Sequence, residues 1–306
     1  MARHFLSVDD LDAEELLDLL DLADRLKADR SLYRGALDGR SVALIFEKAS
    51  TRTRVSFEVG LAQLGAQPIA LAAGDLQLGR GETIEDTGRV LSRYVDAVVL
   101  RTFEQDRLEA LARAASVPVV NALSDFEHPC QALADLQTVR ERLGGLAGRV
   151  LTFVGDGNNV AHSLLLAGAK AGMIVRVATP PGFEPIPLVV QRASEIASTT
   201  GGSVEVGNDP KSAALGAHAL YTDVWASMGQ EEEADERSLV FPAYRIDEEL
   251  LGLAAPDAIV LHCLPAHRGQ EITDEVIDGP RSAVWDQAEN RLHAQKALML
   301  SLLGVD

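Results

Sequence analysis

Several features that define whole classes of proteins are scarce in this chain. It has only two cysteines, Cys130 and Cys263, too few for a disulfide framework or a four-cysteine zinc site. No segment approaches the apolar length of a membrane span, and the N-terminus turns acidic without a signal-peptide core, so a cytoplasmic protein is expected. Basic residues are also few: 28 Lys and Arg stand against 46 Asp and Glu, a net charge of −18. Nucleic acids and anionic membrane surfaces are therefore poor partners for the molecule as a whole.

Nucleotide-binding signatures are missing or incomplete. The Gly-Lys-Ser/Thr of a phosphate-binding loop is not present, so an ATP site is not indicated. The segment GDGNNVAHS imitates a dinucleotide fingerprint through Gly155 and Gly157, but Val160 stands where the third glycine is expected. The strand predicted next ends without a carboxylate for a ribose. NAD binding is therefore disfavoured against a polar turn that presents Asn158 or Asn159 to a ligand.

What the chain does have is an alternation of buried strands and helices, typical of an α/β protein with parallel sheets. Strands are predicted at 41–46, 68–73, 97–101, 117–120, 149–156, 173–178, 219–224 and 258–263. Helices are predicted after a Ser7 cap, from Thr51, and at 83–94, 105–115, 159–171, 186–200 and about 287–306. Length and the repeat of the pattern predict two doubly wound domains, 1–143 and 144–286. In such sheets ligands collect at the carboxyl ends of strands.

The segment FEKASTRTRVSFE places a helix start directly after a buried strand. Ser50, Thr51 and Thr53 supply hydroxyl donors, and Arg52 and Arg54 supply guanidinium groups suited to phosphate oxygens. A helix N-terminus adds unpaired N–H groups and partial positive charge. The alternative is an ordinary helix cap with solvated arginines, but so many donors in one turn favour an anion site.

A second strand end leads into EHPCQALAD. His128 and Gln131 are three residues apart on one predicted helix face, and Pro129 suits the first helical turn. Both side chains can donate a hydrogen bond to a carbonyl oxygen. From spacing alone, a histidine that caps an ordinary helix is the favoured alternative.

Two further strand ends leave their chemistry open. In LHCLPAHRG, His262 and Cys263 are neighbours and point to opposite faces, which argues against a thiol nucleophile with its base; a buried cysteine is the alternative. His262, Cys263 and His267 also suggest a metal, but no further ligand spacing supports one. In TDVWASMGQEEEADER, Asp223 precedes an acidic loop that either is solvated, recognises an amino-acid cation or closes as a lid.

Together these segments resemble the ornithine carbamoyltransferase family. The family's Ser-x-Arg-Thr and His-Pro-x-Gln occur at 50–53 and 128–131, and its Asp-x-x-x-Ser-Met-Gly and His-Cys-Leu-Pro occur at 223–229 and 262–265. Order and spacing match from about residue 43 to the last helix, at about 287–306, which the resemblance implies packs back on the first domain. Relatives that use aspartate share the first two motifs and are not expected to carry the last two, so the resemblance implies an ornithine acceptor.

The resemblance also implies roles for individual residues. Carbamoyl phosphate would be bound by Ser50, Thr51, Arg52, Thr53, Gln77, Arg101, His128, Gln131, Cys263, Leu264 and Arg291. Ornithine would be bound by Asn159, Asp223, Ser227 and Met228, and the catalytic set would be Arg101, His128, Asp223 and Cys263. Family members use no metal or organic cofactor and form trimers or multiples of trimers, in which Gln77 reaches into a neighbour's site. Their product, citrulline, belongs to arginine biosynthesis or to the catabolic arginine deiminase pathway.

Two alternatives remain open at this point. One is a carbamoyltransferase with another acceptor, such as putrescine, aspartate or an acylated ornithine. The other is a doubly wound protein that binds NAD or has no enzymatic activity.

Overall fold

The computed structural model describes residues 2–48, 50–76, 81–226 and 234–305, and the chain divides into two compact units. Unit 1 comprises Met1–Ala134 and Glu289–Asp306, and unit 2 comprises Asp135–Ala288. Of the predicted site residues, Gln77, Ser227 and Met228 lie outside the described residues. No helix of the described ranges is long and apolar enough to cross a bilayer.

Nine strands and twelve α-helices are found within the described ranges. The strands are β1 (Ser41–Phe46), β2 (Gln67–Ala72), β3 (Ala97–Arg101), β4 (Val119–Leu123), β5 (Val150–Val154), β6 (Ile174–Ala178), β7 (Ser203–Gly207), β8 (Ala219–Thr222) and β9 (Ile259–His262). The helices are α1 (Ala13–Ala28), α2 (Thr51–Leu64), α3 (Ile84–Leu91), α4 (Gln105–Ala114), α5 (Pro129–Leu143), α6 (Asn159–Lys170), α7 (Pro187–Thr200), α8 (Pro210–Ala214), α9 (Ala234–Val240), α10 (Glu248–Leu253), α11 (Asp274–Ile277) and α12 (Val284–Leu302).

The sheet of unit 1 has the order β2-β1-β3-β4, and all its strands are parallel. β3 and β4 are buried along their length, as their apolar runs predict, whereas β2 is a partly exposed edge. At the other edge, the N-terminal segment runs parallel to β4 through Phe5 and Val120. The prediction that Ser7 caps the first long helix is wrong, because Ser7 caps a short 3-10 turn and Asp12 caps α1.

The sheet of unit 2 has the order β7-β6-β5-β8-β9 and is also entirely parallel. The two parallel sheets flanked by helices confirm the predicted α/β, doubly wound class. β7 was not predicted, because this edge strand is partly exposed and carries polar residues such as Ser203 and Glu205. Its pairing with β6 makes it a strand although it has no apolar run.

Helices α5 and α12 each run from one unit into the other. In the first turns of α5, the Cys130 thiol donates to the Asn121 carbonyl oxygen in unit 1. Asp135, further along the same helix, accepts from Gln287 in unit 2. The division therefore falls inside α5, after Ala134, whereas the sequence predicts a boundary at the helix end, residue 143. The part of α12 from Glu289 onward belongs to unit 1.

Candidate functional site

The first strand end of unit 1 leads into α2, whose N-cap is Ser50. The Ser50 hydroxyl accepts from the Thr53 backbone N–H at 3.3 Å, and no acidic residue stands in the first turn. Thr53 is buried, Arg52 is half-buried and Thr51 is exposed. The helix start therefore offers N–H groups and a positive field without a competing carboxylate of its own.

A group of cationic side chains surrounds His128 in unit 1. Burial lowers the pKa of His128 well below its usual value, and the charges of Arg291, Arg101 and Arg52, in that order, lower the pKa further. His128 is thus a neutral imidazole near pH 7, with one ring nitrogen as donor and the other as acceptor. We call Arg52, Arg101, His128 and Arg291 the cationic cluster.

The cationic cluster is fixed by elements that are distant in sequence. Arg101 is the buried last residue of β3, and its carbonyl oxygen accepts from the Glu47 N–H at 2.9 Å. Arg291 is buried on α12 and donates to the Thr53 hydroxyl oxygen at 2.8 Å. Gln131 is buried on α5, where its backbone N–H donates to the His128 carbonyl oxygen at 3.0 Å. Such a concentration of positive charge around buried donors is suited to an anion with a carbonyl oxygen beside it.

Arg54 is counted with the anion donors by sequence analysis, but the structure directs it elsewhere. Its Nε donates to Glu58 at 2.9 Å, and its side chain is 54% exposed. The cause is helical spacing, because residues four apart lie on the same face and an Arg–Glu pair forms there. Arg52, two residues earlier, therefore remains as the arginine of this turn that acts on His128.

Glu47 is a positioning residue that sequence analysis missed. Its carboxylate accepts from Arg107 Nε at 2.9 and 3.1 Å and from the Thr102 hydroxyl. These contacts hold the end of β1 against the end of β3, where Arg101 stands. The sequence feature that could have revealed Glu47 is its place at a strand end, shortly before the hydroxyl-rich turn.

In unit 2, the predicted residues Asp223 and Cys263 lie together at neighbouring strand ends. The Cys263 thiol donates to Asp223 Oδ1 at 2.9 Å, and the Val224 N–H donates to the same oxygen at 2.8 Å. This contact orients the Asp223 carboxylate. A carboxylate at a strand end can pair with a cationic amine.

The backbone after Cys263 makes an unusual turn that His262 supports. Leu264 has a φ of 58°, in the left-handed region that non-glycine residues seldom adopt, and a cis peptide bond joins it to Pro265. The Leu264 N–H donates to His262 Nδ1 at 2.9 Å, and His262 Nε2 stands 3.1 Å from Glu271 Oε1. His262 thus holds the turn and is not paired with Cys263 as a base.

Asp223, His262 and Cys263 also have the composition of a metal site, since their ligand atoms lie within 4.8 Å of one another. Both ring nitrogens of His262 already have partners, Leu264 and Glu271. A metal ion would therefore have to replace one of these hydrogen bonds. The donor set therefore fits a metal poorly.

The partial glycine fingerprint has a structural cause. A Cβ on Gly157 would stand 2.4 Å from the Pro185 nitrogen and 2.5 Å from the Phe183 carbonyl oxygen. Gly157 is thus required by the close approach of another backbone segment. Asn158 caps α6 by accepting from the Val160 N–H at 3.0 Å, and Asn159 is the buried first residue of that helix.

A buried ion pair lies beside this turn. Arg237 donates to Asp156 Oδ2 and to the Trp225 carbonyl oxygen, each at 2.7 Å. The Arg237 guanidinium also lies over the Phe183 ring, 4.9 Å from its centroid. These contacts connect both ends of the acidic segment 223–237 to the turn that carries Asn159. The sequence predicts only a loop for this segment, because no local pattern reveals that Arg237 is buried.

Both halves of the chain match domains of one protein family. The carbamoyl-P binding domain of aspartate/ornithine carbamoyltransferase matches residues 3–141, and the Asp/Orn binding domain matches residues 147–302. A relative from Parafrankia sp. (strain EAN1pec), named ornithine carbamoyltransferase, is 65% identical over 305 residues, covering 99% of this chain and 96% of the relative.

Solved structures agree with these matches. Ornithine carbamoyltransferase from Pyrococcus furiosus has a TM-score of 0.96 at 52% identity, covering 99% of this chain and 97% of that one. A structure of acetylornithine transcarbamylase complexed with acetylcitrulline has a TM-score of 0.88 at 32% identity, with 98% of each chain covered. The fold is therefore shared by proteins named for different amine acceptors.

Proposed function

Because the chain belongs to the aspartate/ornithine carbamoyltransferase family, we propose that it transfers the carbamoyl group of carbamoyl phosphate to the side-chain amine of L-ornithine, giving L-citrulline and phosphate. The observation that carries this proposal is the cationic cluster of unit 1, in which three guanidinium groups surround a neutral His128. The names of the relatives support ornithine as the acceptor. Arginine biosynthesis in the cytoplasm is proposed as the role.

The first step is the binding of carbamoyl phosphate in unit 1. Ser50, Thr51, Arg52 and Thr53 hold the phosphate at the start of α2, with Arg101 at the end of β3. Arg101, His128 and Thr53 donate to the carbamoyl oxygen, and Gln131 contacts the carbamoyl nitrogen. The resemblance adds to these contacts Arg291 of unit 1 and the carbonyl oxygens of Cys263 and Leu264 of unit 2. Donors of this kind, arranged before the reaction, cost nothing to reorient as charge develops.

The second step is attack by the amine. Ornithine is bound by Asn159, Asp223, Ser227 and Met228, and the Asp223 carboxylate pairs with one of its amines. A neutral amine forms the new bond to the carbamoyl carbon while phosphate leaves with the electrons of its C–O bond, and the nitrogen then releases one proton, which the departing phosphate accepts. Negative charge on the carbonyl oxygen is met by Arg101 and His128, and one such donor contributes about 3 kcal/mol.

Proton loss from the amine sets the pH dependence. An alkyl ammonium has a pKa of about 10.4 in water, and a cationic site disfavours the charged form. We expect the rate to rise toward alkaline pH. Cys130 takes no part, because burial raises the pKa of its thiol to about 12.

Arg52 and Arg54 provide a matched test of this assignment. Both stand in the first turn of α2, but Arg52 acts on His128 whereas Arg54 pairs with Glu58. Arg52→Met should weaken carbamoyl phosphate binding by about 10-fold or more, and Arg54→Met should not. Calorimetric titration with carbamoyl phosphate measures both variants. Equal effects in the two variants would overturn the assignment of the phosphate to this turn.

The acceptor is tested separately, since acetylornithine transcarbamylase shares the fold. Citrulline formation is measured with purified protein, carbamoyl phosphate and a panel of ornithine, acetylornithine, putrescine and aspartate. Ornithine should be used far better than the others. Preference for another amine would retain carbamoyl transfer and replace the acceptor.

The assembly is proposed to be a trimer, or a multiple of trimers, in which Gln77 completes a neighbour's site. Chains carrying Arg52→Ala and Gln77→Ala are each expected to be nearly inactive. Unfolding and refolding them together should create some sites with both residues intact, so that activity exceeds the sum of the parents. No gain on mixing would mean that Gln77 serves its own chain.

A further inference from the structure

Predicted carbamoyl phosphate residues of unit 1 lie on or beside two helices, α5 and α12, that continue into unit 2. His128 and Gln131 stand at the start of α5, and Arg291 stands on α12. Asp135 is the first residue of α5 that belongs to unit 2, and Gln287 stands on α12 just before that helix leaves unit 2. Both residues belong to unit 2, where their side chains contact each other.

The Gln287 side chain donates one hydrogen bond and accepts another. Its Nε2 donates to Asp135 Oδ1 at 2.7 Å, and its Oε1 accepts from the His262 backbone N–H at 2.8 Å. Asp135 and Gln287 are both fully buried. A buried amide whose two ends are both satisfied has one orientation, because rotation by 180° would bring like groups together.

The second bond of Gln287 reaches the turn described above. His262 is the last residue of β9, and Cys263, which follows it, donates to Asp223. Burial raises the pKa of Tyr221, in the neighbouring strand β8, well above its usual value, and the charges of Asp135, Cys263 and Asp223 raise it further. The chain of contacts thus runs from α5 through α12 to the residues assigned to the amine acceptor.

We propose that Asp135 and Gln287 are positioning residues that set the Cys263–Leu264 turn relative to α5 and α12. This inference rests on the proposed function, because it assigns the turn to the carbamoyl transfer site. Neither residue touches a reacting atom. They act by fixing the backbone of His262, and with it the carbonyl oxygens of Cys263 and Leu264 and the thiol that orients Asp223.

Exchanging the donor and the acceptor of the Asp135–Gln287 hydrogen bond distinguishes a positioning role from simple packing. Gln287→Glu keeps the acceptor for the His262 N–H but sets a carboxylate against Asp135. Asp135→Asn combined with Gln287→Glu restores the pair in the reverse sense, since the new amide donates to the new carboxylate. The double variant has the same net charge as the wild type and nearly the same volume.

The measurements are the kcat and KM for ornithine at alkaline pH, carbamoyl phosphate affinity without ornithine, and Tm. Gln287→Glu should lower kcat/KM for ornithine by on the order of 100-fold, the size of effect that a misplacement of about 1 Å produces. Its carbamoyl phosphate affinity should fall by less, because that ligand is assigned mainly to side chains of unit 1 and the turn contributes only the carbonyl oxygens of Cys263 and Leu264. The double variant should recover most of the loss.

Three results would overturn the proposal. These are a double variant no better than Gln287→Glu, a loss of Tm with unchanged kinetics, and an equal loss of ornithine use and carbamoyl phosphate affinity. Failure of the proposed function is distinguishable, because the wild type would then form no citrulline. In that case the recovery of Tm in the double variant would still report the hydrogen-bonded pair.

Discussion

Arg291 is a buried arginine that lies far in sequence from the other anion donors. It donates to Thr53 at 2.8 Å, and its charge is the strongest electrostatic contribution to the lowered pKa of His128. Arg291→Met keeps much of the aliphatic bulk and removes the charge. We expect the variant to fold and to lose affinity for carbamoyl phosphate.

The size of the loss follows from the type of contact. A hydrogen bond to a charged group contributes about 1.5–3 kcal/mol, which corresponds to an affinity about 10- to 150-fold weaker. At a ligand concentration of about 100 times the wild-type Kd, binding stabilises the wild type by about 2.7 kcal/mol. The same concentration should stabilise Arg291→Met by only about 0.3–1.4 kcal/mol.

Thermal unfolding with and without carbamoyl phosphate measures this difference. A second readout is the His128 titration by NMR, because removal of a neighbouring positive charge should raise its pKa toward the ordinary value. A ligand-induced stabilisation equal to that of the wild type would refute the place of Arg291 in the anion site. An unchanged His128 titration would refute the electrostatic coupling.

Two further predictions concern stability. Arg237→Met removes the guanidinium that pairs with the buried Asp156 carboxylate, so unfolding in urea should show a loss of about 3–5 kcal/mol in the free energy of unfolding. Arg89→Met, at an exposed helix pair, should lose less than about 1 kcal/mol, and a similar loss in both would contradict the role of burial. The pKa values of His4, His128 and His293 are lowered, chiefly by burial, so the unfolded chain binds more protons below about pH 6.5. The contribution of these histidines to the free energy of unfolding should be fully present above that pH and should decline as the pH falls below it. Equal urea midpoints at about pH 7.5 and 5.5 would contradict this.

The parts of the fold that sequence predicts best are those with a strong local signal. The bounds of β1 and β3 are confirmed residue for residue, because buried parallel strands are continuous apolar runs. β7 and the short helices α8 to α11 were not predicted. An exposed edge strand and a helix of one or two turns have no periodicity long enough to detect.

The site residues show the same contrast between features with a strong local signal and features without one. The strand-end rule brings Arg101, His128 and Asp223 to the carboxyl ends of strands, as the parallel topology requires. The Gln287–Asp135 contact joins residues 152 positions apart, so no spacing in the sequence announces it. Arg54 shows the converse, since its chemical type suggests an anion donor but a local partner, Glu58, determines its direction.

The net charge of −18 is compatible with a site for an anion. The surface carboxylates and the arginines of the cationic cluster act on a bound anion over different distances. At physiological ionic strength, charges more than about 8 Å apart at the surface are largely screened. The cationic cluster lies in a buried region, where screening is weak and each guanidinium acts strongly on its neighbours. Burial lowers the pKa of His128, and the field of the three arginines lowers it further. An anion that reaches the cluster experiences those arginines far more strongly than the distant carboxylates of the surface.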